Sequence, residues 1–191
     1  MIERHYVYSD RVTSTRQRAL DAAIELVGTE GLRSLTHVKV DVRAGLPKGS
    51  TSNYFRTRDA LTVGVVEWMA QKEMAEMVPP VAPRTGDELV ELLAGLLDFT
   101  TGPNRTVTAA RLALFSEAAH DNQVRAAISR GHQLMRAWVV SVLTELGAPH
   151  PETAASALIS MSEGMILHRI ARGANDDPRP MFRLLTRAIL G

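Results

Sequence analysis

The sequence predicts an all-α protein in two parts: an N-terminal three-helix helix-turn-helix unit and a C-terminal helical bundle, about nine helices in all. Three observations carry this. Apolar residues recur at three- and four-residue spacing along most of the chain. Glycine and proline signals, above all Gly31, Gly45, Pro79 to Pro83, "GAPHP" and Gly173, cut the chain into helix-length pieces. Only Val38, Val40 and Val42 alternate as a strand would, and one short strand with nothing to pair with is not stable.

The elements follow in order. Ser14 and Gln17 have the spacing of a capping box, and Leu20, Ala23, Ile24 and Val27 continue a helix over 15–29 that Gly31 stops. Thr36 is the natural N-cap of a short second helix over 36–44, with Leu35, Val38, Val42 and Leu46 on one side. Gly45 supplies the turn, Pro47 suits the start of a new element, and 48–54 reads as a third helix. Thr57 caps a longer helix that begins at Arg58, carries Leu61, Val65, Trp68 and Met69, and fades near Met77.

"PPVAPRTG" is the clearest break in the chain. Beyond it, Thr85 and Glu88 form a second capping box before a helix over 87–99, and "TTGPN" interrupts again. Helices are then expected over 106–119, from Asp121 to about Leu146, over 152–171 behind Pro151, and from Pro178 to Leu190. The domain division predicted is 14–60 and 61–191.

Composition narrows the function. The 191 residues are 45 % hydrophobic, enough for a real core, and contain no cysteine, so neither a disulfide nor a thiolate zinc site exists. The N-terminus lacks the apolar run of a signal peptide, and no window approaches eighteen apolar residues; a cytoplasmic location without a membrane span is expected. An enzyme of this class would need a nucleophile, base or metal cluster. The chain has no H-x-x-x-H pair, no glycine-rich phosphate loop after a strand and no cysteine, so neither catalysis, cofactor nor metal is expected.

The net charge of +1 hides an uneven distribution. Residues 1–60 hold ten Lys/Arg against seven Asp/Glu, and between Thr36 and Arg58 there are five basic residues and one acid, Asp41. Such a local cluster is either a solvated face or the footprint of phosphate binding. "AGLPKGSTSNYF", residues 44–55, lies inside it. Two short helices about a glycine turn are a helix-turn-helix arrangement, whose second helix enters the DNA major groove. Such a helix needs small donors and acceptors on its outer face, and Ser50, Thr51, Ser52 and Asn53 are that inventory. Lys48 and Gly49 at its start offer a charge and backbone amides to phosphate, and Arg58 can add a further contact.

Residues 16–70 resemble the DNA-binding domain of the tetracycline-repressor (TetR) family of bacterial transcription regulators. The matching residues are "ALDAAIELVGTEG", Leu35-Thr36, Ala44-Gly45-Leu46, Lys48-Gly49, Tyr54-Phe55 and "RTRDAL". Two positions depart from the family's pattern: Ser52 stands where a tyrosine is frequent, and Asp41 where a small apolar residue is usual. Asp41 is expected to pair with Lys39 or Arg43. The resemblance implies DNA contacts at Thr36, Arg43, Lys48, Gly49, Ser50, Thr51, Asn53, Tyr54 and Arg58. Thr51 and Asn53 are the expected base readers, with Lys48, Tyr54 and Arg58 on phosphates. Leu46, Phe55 and Ile24 belong to the small domain's core. The segment before Ser14, with Arg4 and Arg11, is either a minor-groove arm or a disordered tail.

The resemblance also implies a repressor that a small-molecule effector releases from a palindromic double-stranded operator. It implies a homodimer through the last two helices, where Ala154, Ala155, Ala157, Leu158, Met161, Met165 and Ile166 form a small apolar face. Candidate pocket residues are Trp68, Phe99, Arg111, Phe115, Met135, Trp138, Met161 and His168, the same residue types that ordinarily build a helical core. The competing reading is a helical interaction module whose helix-turn-helix no longer binds DNA, to which Ser52 and Asp41 lend some room.

Overall fold

Ser14 opens the first helix as its spacing requires: its hydroxyl accepts from the Gln17 amide at 3.2 Å, and the Gln17 side chain accepts from the Ser14 amide at 3.0 Å. In this computed structural model the described residues are 14–77 and 82–191, with backbone alone for 73–77. The segment carrying Arg4 and Arg11, and the start of the proline-rich break, lie outside them.

The described residues form nine α-helices and no strand. They are α1 (Thr15–Glu30), α2 (His37–Arg43), α3 (Ser50–Tyr54), α4 (Arg58–Met77), α5 (Gly86–Thr101), α6 (Arg105–Glu117), α7 (Asn122–Glu145), α8 (Pro151–Arg172) and α9 (Arg179–Leu190). Thr36 caps α2 through the Lys39 amide, Thr57 caps α4 through the Ala60 amide, and Asp121 accepts from the Gln123 and Val124 amides at the start of α7. The β-branched run at Val38 to Val42 is helical, because tertiary packing of Val40 outweighs its strand pattern.

Three details differ from expectation. A single 3-10 turn, Leu32–Ser34, follows Gly31, whose φ of +79° suits glycine. The third helix begins at Ser50 instead of Lys48, because Pro47 to Gly49 form a turn in which the Ser50 amide donates to the Pro47 carbonyl and Gly49 is left-handed at φ +90°. At α5 the Thr85 hydroxyl accepts from the Glu88 amide as expected, but the Glu88 carboxylate accepts from the Arg84 amide, one residue early.

One core cluster joins α1, Leu35, Val40 and Phe55 to α4 and to Ala110, Leu114, Val124 and Ala127 of α6 and α7. The core therefore runs across the 60/61 division. Two further clusters pack α5, α7, α8 and α9 at the other end of the bundle. Two glycines permit the closest approaches. A Cβ on Gly28 of α1 would fall 2.1 Å from the Thr106 carbonyl oxygen of α6, and one on Gly64 of α4 would fall 2.4 Å from the Phe55 ring. Trp68 and Lys72 of α4 both donate to Asp21 of α1, at 2.9 and 3.1 Å.

These contacts predict opposite outcomes for one substitution at two places. Gly28→Ala must move backbone and is expected to cost about 1–3 kcal/mol of stability. Gly95→Ala, in open space on α5, is expected to gain about 0.5–1 kcal/mol. Denaturant melts of both variants against the parent decide it; equal effects would contradict the close α1–α6 packing.

Candidate nucleic-acid interface and ligand cavity

A helix of five residues is too short to be stable alone, so α3 depends on what holds it. Asp41 of α2 is 3 % exposed and does this work. Its Oδ2 accepts from the Gly49 amide at 2.7 Å, and its Oδ1 accepts from the Thr51 amide at 2.8 Å and the Thr51 hydroxyl at 2.5 Å. Burial works against the charged carboxyl, but the hydrogen bonds from Thr51 and Gly49 outweigh it and hold Asp41 below the usual carboxylate range. At the other end, the Phe55 carbonyl accepts from His37 Nε2 at 2.7 Å, so that nitrogen carries the proton. The Phe55 ring is buried between Gly64 and the Arg16 guanidinium, 5.3 Å from its centroid. Arg18 ties down the turn by donating to the Ala44 and Gly45 carbonyls.

With the inner face fixed, Ser52, Asn53, Tyr54, Lys48 and Arg56 point no polar atom at any described residue. Asn53, Lys48 and Arg56 are exposed, and Tyr54 is half exposed. They leave donors, acceptors and two cations uncommitted on α3 and at its two ends.

The bundle holds a cavity of two chambers. One lies between α4, α6 and α7, lined by Met69, Arg111, Phe115, His132, Met135 and Glu163 among others. The other lies between α5, α7, α8 and α9, with Leu96, Trp138, Val139, Ser162, Ile166 and Phe182 in its wall. Arg111, Met135 and Glu163 line both, so the chambers meet there.

Residues 84–191 match the family model for the tetracyclin repressor-like C-terminal domain. The chain belongs to the TetR family. Its TetR fold recurs in solved structures. A transcriptional regulator from Rhodococcus sp. Rha1 superposes with a TM-score of 0.80 at 19 % identity, over 93 % of this chain and 96 % of that one. The multidrug binding protein EbrR, complexed with ethidium, gives 0.74 at 27 % identity, over 92 % and 99 %. A transcriptional regulator from Streptomyces coelicolor A3(2) gives 0.72 at 23 %, over 92 % and 98 %. No curated protein matches the chain. The protein is thus a DNA-binding transcriptional regulator of the TetR type, with a bundle of the ligand-binding kind.

Several expected site residues of this TetR protein have other employment. Thr51 is fully buried, and its hydroxyl belongs to Asp41, so it is a support of α3 and not a base reader. Asp41 pairs with neither Lys39 nor Arg43. Those two cations instead reach α1: Lys39 to Glu30 at 2.9 Å, and Arg43 to Glu25 at 2.9 Å and Glu30 at 2.6 Å. The hydrogen bond from Lys39, with both nearby charges, holds the Glu30 carboxyl below its usual range. The Gly49 amide is likewise taken by Asp41, which occupies the position an anion would take at this helix start. Arg58 donates to the Leu32 and Leu35 carbonyls, pinning α4 to the 3-10 turn. The Ser50 hydroxyl donates to the Pro47 carbonyl, and the Thr36 hydroxyl serves as N-cap.

Of the expected pocket residues, Arg111, Phe115, Met135 and Trp138 line the cavity. Trp68 does not: it packs in the first core and donates to Asp21. Phe99 is 45 % exposed on α5, Met161 packs beside the third core cluster, and His168 is exposed. Sequence reasoning missed Arg56 as a free cation, and His132, Glu163 and Phe182 as cavity lining. Arg56 was visible as part of the basic cluster; the three lining residues carry no local signal. The small apolar face of α8 is largely internal, since Ala154, Ala155, Leu158 and Ile166 are buried within the chain.

Asp41→Ala is expected to leave the Gly49 and Thr51 donors unsatisfied and cost about 2–3 kcal/mol. At this chain length that lowers the melting temperature by roughly 4–12 °C. Because the folded carboxyl titrates below its unfolded value, its contribution is present above the ordinary aspartate range and is lost as pH falls through the folded value. Melts across pH 2–7 are therefore expected to fall more steeply at the acid end for the parent than for Asp41→Asn. Parallel profiles would remove the charge from the account.

Proposed function

We propose that the protein is a homodimeric repressor that reads a palindromic operator and leaves it when a small molecule fills the bundle cavity. The observation that carries this reading is the uncommitted set of Ser52, Asn53 and Tyr54 on a recognition helix whose inner face Asp41 has locked, with Lys48 and Arg56 at its two ends. Asn53 is the base reader of this set, with Lys48, Tyr54 and Arg56 on phosphates. One such helix touches few bases, and two related by a twofold axis read successive major grooves.

The dimer is assigned to the outward face of α8 and α9, not to the alanine face expected from sequence. Leu167, Met181 and Leu184 are 47 %, 50 % and 75 % exposed there, and a Cβ on Gly164 would meet nothing within 4 Å. Large exposed apolar side chains on neighbouring helices support an interface. Effector release is a population shift, which requires the ligand to favour the chain shape whose paired recognition helices no longer match the operator. The ethidium complex of EbrR, 27 % identical, supports the cavity as the receptor. Among the described residues no helix is long and apolar enough to cross a membrane, in keeping with a regulator that works in the cytoplasm.

Selection from a genomic DNA fragment library is expected to enrich a palindrome. Asn53→Ala is expected to lose that selectivity, while Lys48→Ala weakens binding to all sequences and lowers the salt slope by about one. Sequence-blind binding that Asn53→Ala shares would instead favour the helical interaction module. In sedimentation, Leu184→Glu is expected to convert dimer to monomer with the fold intact; an unchanged dimer would exclude the α8–α9 face.

A further inference from the structure

We propose that the effector is a hydrophobic organic cation, held with its positive charge against Glu163 and its rings against Trp138. This rests on the reading of the bundle cavity as the effector site.

Glu163 is the one lining carboxylate common to both chambers. It makes no hydrogen bond or ion pair with any described residue, whereas Arg111, which reaches the same junction, is already engaged within the protein. Glu163 is half-buried in the cavity wall, and a carboxylate that faces apolar side chains gains from a cationic partner. Any ligand spanning the chambers must pass it.

Two hydroxyls in the second chamber have the same sense. The Ser162 hydroxyl donates to the Leu158 carbonyl at 2.8 Å, and the Thr100 hydroxyl donates to the Leu96 carbonyl at 2.8 Å. With those protons committed, both present lone pairs to the second chamber. That chamber therefore offers acceptors, a carboxylate and the face of Trp138, which complements a donor-bearing cation and the attraction of a cation to an aromatic ring. His132 faces only the first chamber, so the charged part of the ligand belongs on the Trp138 side of Glu163. An anion would sit against Glu163 and find no hydroxyl donor, and the guanidinium at that junction, Arg111, is already engaged within the protein.

The test uses the full chain without DNA and three probes: ethidium, its neutral parent ring phenanthridine, and the anion anilinonaphthalene sulfonate. Ethidium is expected to bind, to weaken at least tenfold in Glu163→Gln, and to recover in part in Glu163→Asp. Phenanthridine binding is expected to change less than twofold in Glu163→Gln, and thermal melts of each variant report that the fold is kept. Ser162→Trp, which fills the second chamber, is expected to block both. If ethidium binds Glu163→Gln as well as the parent, or the anion is preferred while Ser162→Trp still blocks binding, the cation assignment is overturned and the cavity survives as the receptor. If no probe binds, or Ser162→Trp changes nothing, the receptor reading fails and the inference with it.

Discussion

The carboxylate of Asp41 is the constraint on which the DNA-facing end depends. Five residues close too few hydrogen bonds to offset the ordering of their backbone, so α3 exists only because α2 receives its first amides. The same contact decides what α3 can offer outward. Its helix start is already occupied by an internal anion, the Asp41 carboxylate. Thr51 is drawn inward, and the uncommitted side chains of α3 narrow to Ser52, Asn53 and Tyr54.

The cation inventory is reduced in the same way. Lys39 and Arg43 rest on Glu25 and Glu30, and Arg58 on two carbonyls. Exposed pairs of this kind contribute little to stability, but they set where charge is displayed. The basic patch read from the sequence resolves into a structural part on α2 and α4, held by α1 carboxylates and backbone carbonyls, and a displayed part at Lys48 and Arg56.

The cavity and the recognition helix share their supports. Val66 and Met69 belong to the first core and also line the first chamber, as does Leu114 of α6. Phe55, the last anchor of α3, lies against Gly64 of the same α4. The first turn of α6 meets α1 at Gly28, and Arg105 there donates to the Arg169 and Ile170 carbonyls at the end of α8. Packed interiors transmit displacement because they have little free volume. The chamber therefore borders helices that carry α3 on one side and the proposed dimer face on the other.

Local chemistry determined most of the helices and the helix-turn-helix itself: the caps Ser14, Thr36, Thr57 and Asp121, the turn at Gly45 and the stops at Gly31 and Gly173 act within a few residues, and a sequence displays them in order. Residue type likewise placed Lys48, Asn53 and Tyr54 on the candidate surface. What only tertiary structure decided was which polar side chain is left over. Thr51 and Asn53 look alike in sequence, and Asp41, ten residues before Thr51, separates them. Trp68 and Trp138 sit on equally apolar helices, but one turns to Asp21 and the other to the cavity. Glu163 gains its meaning from α5, α6 and α7 around it. Hydrogen bonding and burial are settled between elements distant in the chain, and no local spacing encodes them.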